Sequence, residues 1–333
     1  MKICFIMYPW HKIEVPLDST LRLIHECVRR KHFVAVVTPS SLVLSHNKPH
    51  AFCHVIVPNP PLTHHIPTFH RTVTFKRKRL LLSEFDAVFM RNNPPFDPIS
   101  LNFLDSIDET VFIINALRGL RVGNNKMYAA SLSTLLPKQI PTTYISKNKR
   151  YLEKVFHTMH SSKVVLKPLN AHGGKGVVVI EKQLPHNFSA LIDFYIHADL
   201  GSNYVILQEY IEGAEAGDVR VLLLNGIPIG ASRRIPAPGD YRSNIHAGGS
   251  AAPYALNPKE EALCAQIGPK LVADGLYFVG LDLIEGSLLE INVLSPGGVT
   301  RINEFNGVRL QENIIDFVEQ ATLLKKASYV KTL

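Results

Sequence analysis

Residues 280–296, GLDLIEGSLLEINVLSP, form an almost wholly apolar segment that is interrupted by Asp282, Glu290 and Asn292. The apolar residues on either side of Glu285-Gly286-Ser287 predict two strands joined as a β-hairpin. A carboxylate buried among apolar side chains is costly unless an opposite charge pairs with it. The segment therefore predicts a hairpin whose acidic residues meet a cation.

The length of the hairpin loop decides which side chains share a face. A three-residue loop places residue 282 opposite residue 290, so Asp282 joins Glu290 and Asn292 on one face. A two-residue loop would turn Asp282 to the opposite face. The metal interpretation therefore predicts the three-residue loop, since three oxygen donors on one face suit Mg²⁺, which keeps water and phosphate in its other positions. A solvent-facing strand shows similar alternation, so the segment alone leaves both interpretations open.

The composition is that of a folded protein with several structural units. The chain has 333 residues, of which 46% are hydrophobic and 19% charged. The net charge of +8 suits anionic ligands without choosing among them. The four cysteines form no CxxC pair and are expected to be buried thiols in a reducing compartment. No apolar run is long enough to span a membrane, so we expect a cytoplasmic protein without a membrane partner.

The first third of the chain alternates predicted strands and helices, which is typical of a Rossmann-like parallel sheet flanked by helices. Ligands of such sheets gather at the carboxyl ends of the strands, where Asp18, Ser19 and Arg91 are expected. The predicted strands are residues 2–7, 33–38, 87–91 and 111–115.

Residues 58–79 are rich in proline, histidine and basic residues, and we predict an exposed irregular loop there. His64, His65 and His70 could bind a metal, but surface histidines are the favoured interpretation. The basic run at residues 76–79 could contact nucleic acid. Because no DNA- or RNA-binding signature accompanies it, we favour a solvated charged face and predict no nucleic-acid partner.

Residues 164–181, VVLKPLNAHGGKGVVVIE, place a glycine-rich loop between two predicted strands. Walker A and Rossmann motifs require a glycine loop that opens a helix, so neither fits. Backbone N–H groups of a mobile glycine loop can close on phosphate oxygens. We predict a lid containing Gly173 and Gly174, with Lys167 on the preceding strand near the phosphates, although an ordinary long hairpin loop is the alternative.

Taken in order along the chain, these motifs resemble those of the ATP-grasp ligases, and within them the bacterial-type glutathione synthetases. The resemblance covers nearly the whole sequence. The segments that carry it are MRNNPPFD at 90–97, Lys126, LKPLNAHGGKG, QEYIEG, DVRVLLLNG, RRIPAPGDYRSNIHAGG and FVGLDLIEGSLLEINVLSP.

This resemblance implies a mixed α/β (α+β) ATP-grasp fold of three domains. Residues 1–122 would form the N-terminal Rossmann-like parallel-sheet domain, residues 123–207 the central lid domain, and residues 208–333 the C-terminal antiparallel-sheet domain. ATP would bind between the last two domains.

The resemblance also implies the roles of individual residues. The catalytic residues would be Lys167, Arg220 and Arg234. ATP would contact Lys126, Lys167, Gly173, Gly174, Gln208, Glu209, Tyr210, Ile211 and Asp218. The peptide substrate would contact Asp18, Ser19, Arg91, Arg234, Arg242, Asn244, Gly248, Gly249 and Ser295. Mg²⁺, or Mn²⁺ in its place, would bind Asp282, Glu290 and Asn292.

The implied activity is ATP- and Mg²⁺-dependent peptide-bond formation through an acyl phosphate, with γ-glutamylcysteine and glycine as small-molecule substrates and a homo-oligomer as the active form. Here Gly297-Gly298-Val299-Thr300 precedes Arg301, where the family usually carries a Thr-Cys or Thr-Gly type segment. This difference concerns the acceptor site, and the alternative is an ATP-grasp ligase with a different amino-acid or peptide acceptor. A non-catalytic nucleotide-binding regulator is a further alternative, which the complete set of lysines and acidic residues disfavours.

Overall fold

The computed structural model describes residues 1–58, 62–93, 97–169, 173–183, 187–198, 202–237 and 248–331, which form three β-sheets in chain order. The first sheet has seven strands in the order β3-β4-β2-β1-β6-β7, with β5 also paired to β4. Its strands are β1 (Lys2–Met7), β2 (Phe33–Val37), β3 (Leu42–Ser45), β4 (Lys48–Val57), β5 (Thr74–Leu81), β6 (Ala87–Arg91) and β7 (Phe112–Ile114). Its helices are α1 (Ser19–Arg29), α2 (Ile66–Thr72), α3 (Ile99–Asp105) and α4 (Leu117–Gly123).

The predicted parallel core of this sheet is confirmed, because β2, β1, β6 and β7 pair in parallel. The predicted irregular loop at residues 58–79 is wrong, since it contains α2 and most of β5. The sequence of β5, TFKRKRLL, lacks apolar alternation, and it forms a strand by antiparallel backbone pairing along β4. Its four cationic side chains are exposed at the sheet edge, where charge discourages pairing with other chains.

The second sheet is antiparallel and has its own hydrophobic core. Its strands are β8 (Thr143–Ser146), β9 (Lys163–Pro168), β10 (Val178–Glu181) and β11 (Val205–Glu209), in the order β10-β9-β11-β8. Helix α5 (Lys126–Ser131) precedes the sheet, and α6 (Lys149–Thr158) and α7 (Phe188–Ile196) pack on it. Phe156 of α6 stacks on Phe188 of α7 with ring centroids 3.7 Å apart.

The third sheet is antiparallel, with strand order β14-β13-β12-β15-β16. Its strands are β12 (Asp218–Leu224), β13 (Ile227–Ile235), β14 (Ser250–Pro253), β15 (Phe278–Ile284) and β16 (Ser287–Asn292). The remaining helices are α8 (Pro258–Ala273), α9 (Val299–Asn306) and α10 (Leu310–Val330).

The β15–β16 hairpin reaches the predicted alignment by an unpredicted route. Its turn has two residues, Glu285 and Gly286, both with positive φ, so the predicted three-residue loop is wrong. The register then shifts by one residue, because Leu283 pairs with Leu288 whereas Asp282 pairs with Glu290. Leu289 is the extra residue of this β-bulge. The bulge reverses the effect of the shorter loop, so Asp282 and Glu290 do share a face.

The first and third sheets share hydrophobic cores, while the second has a separate one. Asn115, which follows β7, connects the two large units. Its Nδ2 donates to the carbonyls of Phe278 and Val293 at 2.8 and 2.6 Å, and its Oδ1 accepts from the Phe278 N–H at 2.7 Å. The first and third sheets are therefore packed as one body, and the second sheet is joined to them with far less shared core.

Two further expectations from the sequence concern the cysteines and membrane-spanning helices. All four cysteines are buried free thiols, as expected. Within the described ranges, none of the helices is both long and apolar enough to cross a membrane.

Candidate active site

A cavity of about 1050 Å³ is lined by residues of all three sheets. It brings together most of the site residues that the sequence predicts. Those that line it are Asp18, Ser19, Arg91, Lys126, Lys167, Gly173, Gly174, Gln208, Glu209, Tyr210, Ile211, Asp218, Arg220, Arg234, Asp282, Glu290, Asn292 and Ser295. Gly248 and Gly249 are not among its lining residues, and Arg242 and Asn244 lie outside the described residues.

Two buried arginines neutralise Asp282 on the sheet face below the cavity. Arg220 lies directly opposite Asp282 on β12 and donates from Nε to Oδ1 at 2.6 Å and from Nη2 to Oδ2 at 3.1 Å. Arg234 of β13 reaches the same Oδ2 with its Nη2 at 3.0 Å. Although burial alone would raise it, the pKa of Asp282 is lowered to about 2 by the two guanidinium groups. The carboxylate predicted to meet a metal therefore has two protein cations as its direct partners.

Glu290 and Asn292 point onto the same face as Asp282 and differ from it in their contacts. The Asn292 amide nitrogen donates to Asp282 Oδ2 at 3.1 Å and to the Gly280 carbonyl at 3.3 Å, which leaves its oxygen on the other side. Glu290 makes no hydrogen bond or ion pair with any described residue. One carboxylate and one amide oxygen are thus available to a divalent cation, which would complete its shell with water and phosphate. These donors fit such an ion.

Lys126 and Lys167 supply positive charge across the cavity from Glu290. Lys167 is 9% exposed, and its Nζ donates to Gln208 Oε1 at 2.8 Å. Burial lowers the pKa of Lys167 to about 8, against the opposing effect of Glu290. Burial also lowers the pKa of Lys126, the first residue of α5. Both ammonium groups are desolvated, so a polyanion that replaces water there would be favoured.

The end of β11 and the two residues after it line the end of the cavity where the resemblance places the adenine. Gln208, Glu209, Tyr210 and Ile211 all contribute to the wall. The Gln208 side chain is already engaged, since its Nε2 donates to Thr143 Oγ1 at 2.7 Å and its Oε1 accepts from Lys167. Gln208 therefore orients Lys167.

The opposite end of the cavity is formed by the carboxyl ends of β1 and β6. Asp18 caps α1 by accepting from the Leu21 N–H at 2.6 Å, and Tyr8 Oη also donates to it. Arg91 is buried, with Nε bonded to Thr20 Oγ1 and both Nη atoms bonded to the Pro296 carbonyl. Burial lowers the pKa of Arg91 to about 10. The three nitrogens of Arg91 are thus used to join the first sheet to the segment after β16.

Sequence profiles of known families match both parts of this architecture. The N-terminal domain of prokaryotic glutathione synthetase matches residues 1–121. The ATP-grasp domain of the same enzyme matches residues 125–307.

The chain belongs to the prokaryotic glutathione synthetase family.

Full-length relatives agree with this membership. The glutathione synthetase of Synechocystis sp. is 33% identical over 327 residues, which cover 96% of this chain and 99% of that protein. The glutathione synthetase of Bradyrhizobium diazoefficiens is 34% identical over 324 residues, which cover 96% of this chain and 98% of that protein.

Solved structures show the same fold at low sequence identity. The D-cycloserine synthetase DcsG has a TM-score of 0.65 and 15% identity, covering 95% of this chain and 99% of that one. The VanG D-Ala:D-Ser ligase from Enterococcus faecalis has a TM-score of 0.60 and 14% identity, covering 95% of this chain and 99% of that one. The predicted ATP-grasp fold is confirmed, and the chain is an ATP-dependent C–N ligase of the glutathione synthetase family.

Two residues that shape this site were not predicted from the sequence, namely Thr143, which supports a lining residue, and Arg301, which lines the cavity. Thr143, which holds Gln208, begins β8, a four-residue strand that carries no distinctive pattern. Arg301 lies in α9 and reaches the cavity beside Gly297 and Gly298. The departure from the family pattern at Gly297-Gly298, which the sequence relates to the acceptor site, is the signal that points to Arg301.

Proposed function

We propose that this ligase makes glutathione. The cysteinyl carboxylate of γ-glutamylcysteine is phosphorylated by ATP, and the amino group of glycine then displaces phosphate from the acyl phosphate. The observation that carries the proposal is that one cavity holds three groups of side chains. They are the desolvated lysines, the acid–amide pair of Glu290 and Asn292, and the arginines of the adjacent sheet face. Membership in the family supports the choice of substrates.

Lys126 and Lys167 are proposed to bind the phosphates of ATP, with Gly173 and Gly174 above them as the lid and Asp218 near the ribose. Glu209, Tyr210 and Ile211 are proposed to line the adenine site. A substrate carboxylate then approaches the γ-phosphate in line, and neighbouring cations neutralise the charge that spreads over the transferred group.

Glu290 and Asn292 are proposed to hold Mg²⁺, which Mn²⁺ could replace, whereas Asp282, whose oxygens are taken by Arg220 and Arg234, is proposed to support this pair. The described residues contain no group of three or more His, Cys, Asp or Glu side chains able to hold a metal, so phosphate and water oxygens must complete the shell. Bound there, the ion would neutralise phosphate charge. Asp282 fixes the Asn292 amide so that its oxygen faces the ion.

Arg234 and Arg220 are proposed to stabilise the oxygen that becomes negative when the amine attacks. Arg234 Nε and Nη2 are held by Asp218 at 2.6 and 2.7 Å, and its Nη1 has no acceptor among the described residues. A guanidinium already fixed in position loses little freedom when it meets the developing oxyanion. Because the acyl phosphate hydrolyses in water, the separately packed lid sheet would have to close over it.

A substrate panel tests this proposal. Purified protein is given ATP, Mg²⁺, γ-glutamylcysteine and each amino acid in turn, and ADP release and the mass of the product are measured. Glutathione as the main product, formed only with glycine, is expected. Release of ADP with γ-glutamylcysteine and another amino acid, but not with glycine, would contradict the proposed acceptor.

Variants of the hairpin test the cation site in the same assay. Glu290→Gln should abolish ligation while the unfolding transition stays that of the wild type. Glu285→Gln, in the exposed turn of the same hairpin, is the matched control and should retain full activity. If Glu290→Gln ligated as well as the wild type across the range of Mg²⁺ concentrations, Glu290 would be ruled out as a ligand of the ion.

A ligase with another amino-acid or peptide acceptor is the second candidate. It is favoured by the wall at Gly297, where an added Cβ would meet no atom within 4 Å. A cytoplasmic location and a homo-oligomeric active form are part of the proposal, and sedimentation of the purified protein would show its oligomeric state.

A further inference from the structure

The cavity is lined by four described arginines, and they differ in how much of each guanidinium is already used. Every nitrogen of Arg91 donates to Thr20 or to the Pro296 carbonyl. Every nitrogen of Arg220 donates to Asp282 or to the Gly297 carbonyl. These two guanidinium groups hold the protein together, and neither has a nitrogen without a protein acceptor.

Arg301 is different. Its only hydrogen bond with a described residue runs from Nη1 to Glu304 Oε2 at 3.1 Å, within the same helix, and its side chain is 39% exposed. Nε and Nη2 have no acceptor in the described part of the chain. In Arg234 only Nη1 lacks an acceptor among the described residues, since Nε and Nη2 donate to Asp218 and Nη2 also contacts Asp282. Arg301 is thus the described cavity arginine with two nitrogens, Nε and Nη2, that have no protein acceptor within the described ranges and can pair with a carboxylate.

The backbone in front of Arg301 leaves room for a ligand. Gly298 has φ +123°, a conformation that residues with a side chain rarely adopt. A Cβ at Gly297 would meet no atom within 4 Å. Gly297, Gly298 and Arg301 thus line the cavity together, and the open space lies at Gly297.

We propose that Arg301 binds a substrate carboxylate that is not consumed in the reaction, and so helps to select the substrate. This inference rests on the proposed function. Glutathione synthesis offers two such groups, namely the carboxylate of glycine and the α-carboxylate of the γ-glutamyl residue. Both present the same planar anion, which a guanidinium with two available nitrogens binds by paired hydrogen bonds.

Steady-state kinetics of Arg301→Gln and Arg301→Lys test the proposal. Loss of a paired, charge-assisted interaction should raise the KM of one carboxylate substrate by ~10- to 100-fold, while the KM for ATP changes less than about threefold. Arg301→Lys keeps the positive charge but not the paired N–H groups, so its KM for that substrate should lie between those of the wild type and Arg301→Gln. A raised KM for glycine identifies the acceptor carboxylate, and a raised KM for γ-glutamylcysteine identifies the donor α-carboxylate. Glycinamide as acceptor separates these further at a γ-glutamylcysteine concentration well below its KM. Wild type and Arg301→Gln should then use glycinamide equally if Arg301 binds the glycine carboxylate, and Arg301→Gln should be slower if Arg301 binds the donor α-carboxylate.

Matched variants separate binding from an ordinary surface ion pair. Glu304→Gln removes the partner of Arg301 within α9 and should leave both KM values unchanged. Arg309→Gln breaks an i,i+3 pair with Glu312 and a longer contact with Glu26, both away from the cavity, and should also leave both KM values unchanged. Gly297→Val removes no charge but fills the open wall, and it should raise the KM of the same substrate as Arg301→Gln.

Two outcomes would overturn the proposal: unchanged KM values for both substrates in Arg301→Gln, or equal effects in Arg301→Gln and Glu304→Gln. Failure of the proposed function would look different, because the wild type itself would not join γ-glutamylcysteine to glycine. The same KM comparison would then be made with the donor and acceptor that the substrate panel identifies, and an unchanged KM for both would again exclude Arg301.

Discussion

Arg220 of β12 lies directly opposite Asp282 of β15, and its guanidinium donates to both oxygens of that carboxylate. Arg234 donates to the same carboxylate from the next strand. The acidic residue that interrupts the apolar hairpin sequence is thus paired within the protein, and the metal-facing oxygens nearby belong to Glu290 and Asn292. Asp282 organises the site by fixing three neighbours.

Asp282→Asn should destabilise the fold. The substitution leaves two buried guanidinium groups without their shared anion, and breaking a buried pair from one side costs about 3–5 kcal/mol. Urea unfolding at pH 7 measures the loss. Glu290→Gln is the control, because Glu290 has no ion pair with a described residue, and its free energy of unfolding should stay within about 0.5 kcal/mol of the wild type.

The stabilising effect of Asp282 should depend on pH in a defined window. Its pKa in the folded protein, about 2, lies below the ordinary value of 3.8, so the stabilisation is complete above about pH 5 and is lost progressively as the pH falls towards 2. The difference in unfolding free energy between wild type and Asp282→Asn should therefore be constant from pH 7 to 5 and shrink below pH 4. A difference that stays constant down to pH 2.5 would contradict the assigned pKa.

ATP binding should weaken as the pH rises above about 8, because burial lowers the pKa of Lys167 to about that value and the neutral amine no longer attracts phosphate. The KM for ATP, measured from pH 7 to 9.5, should rise with pH in the wild type. Lys167→Arg stays charged over this range and should show a flat profile, whatever its absolute affinity.

Gln208 should set the pH at which the KM for ATP begins to rise. Its Oε1 accepts a hydrogen bond from Lys167 Nζ and so favours the charged amine. Gln208→Leu should therefore shift the rise in the KM for ATP to lower pH. Gln208→Glu, which keeps an acceptor and adds negative charge, should shift it to higher pH, and equal profiles for the two variants would contradict this role.

Asn115→Ala should loosen the junction between the first and third sheets. The substitution leaves the N–H and carbonyl of Phe278 and the carbonyl of Val293 buried without their partner, at a cost of roughly 3 kcal/mol. Thermal unfolding measures this loss. Asn102→Ala, at an exposed site on α3, is the control and should change the midpoint little.

Gly217→Ala should disturb the arginine network through the backbone. A Cβ at Gly217 would lie 1.9 Å from the carbonyl oxygen of Arg234, and the φ of Gly217 is +99°. The chain must shift to relieve this overlap, so kcat/KM should fall more than tenfold along with stability. Gly286→Ala also has positive φ, at +74°, but meets no atom within 4 Å, and it should cost only about 1–2 kcal/mol without loss of activity.

Local sequence signals predicted several elements closely. The apolar run at residues 2–7 forms β1, and the run at 87–91 forms β6. Asn-Gly is a typical two-residue hairpin turn, and Asn225-Gly226 makes that turn between β12 and β13. Asn257 and Glu260, spaced as in a capping box, form one at the start of α8. These signals depend on residues a few positions apart, so the tertiary fold has little opportunity to override them.

The amino-acid sequence by itself determined the order of the strands along the chain, their apolar faces, and which polar residues interrupt those faces. Only the tertiary structure decided what those polar residues touch. The bulge at Leu289 brought Asp282 opposite Glu290 despite the short turn, and β12, some sixty residues earlier, supplied the arginine that neutralises it. The reason is physical: hydrophobic periodicity is a local property of the chain, whereas the partner of a buried charge is selected by strand pairing between distant segments.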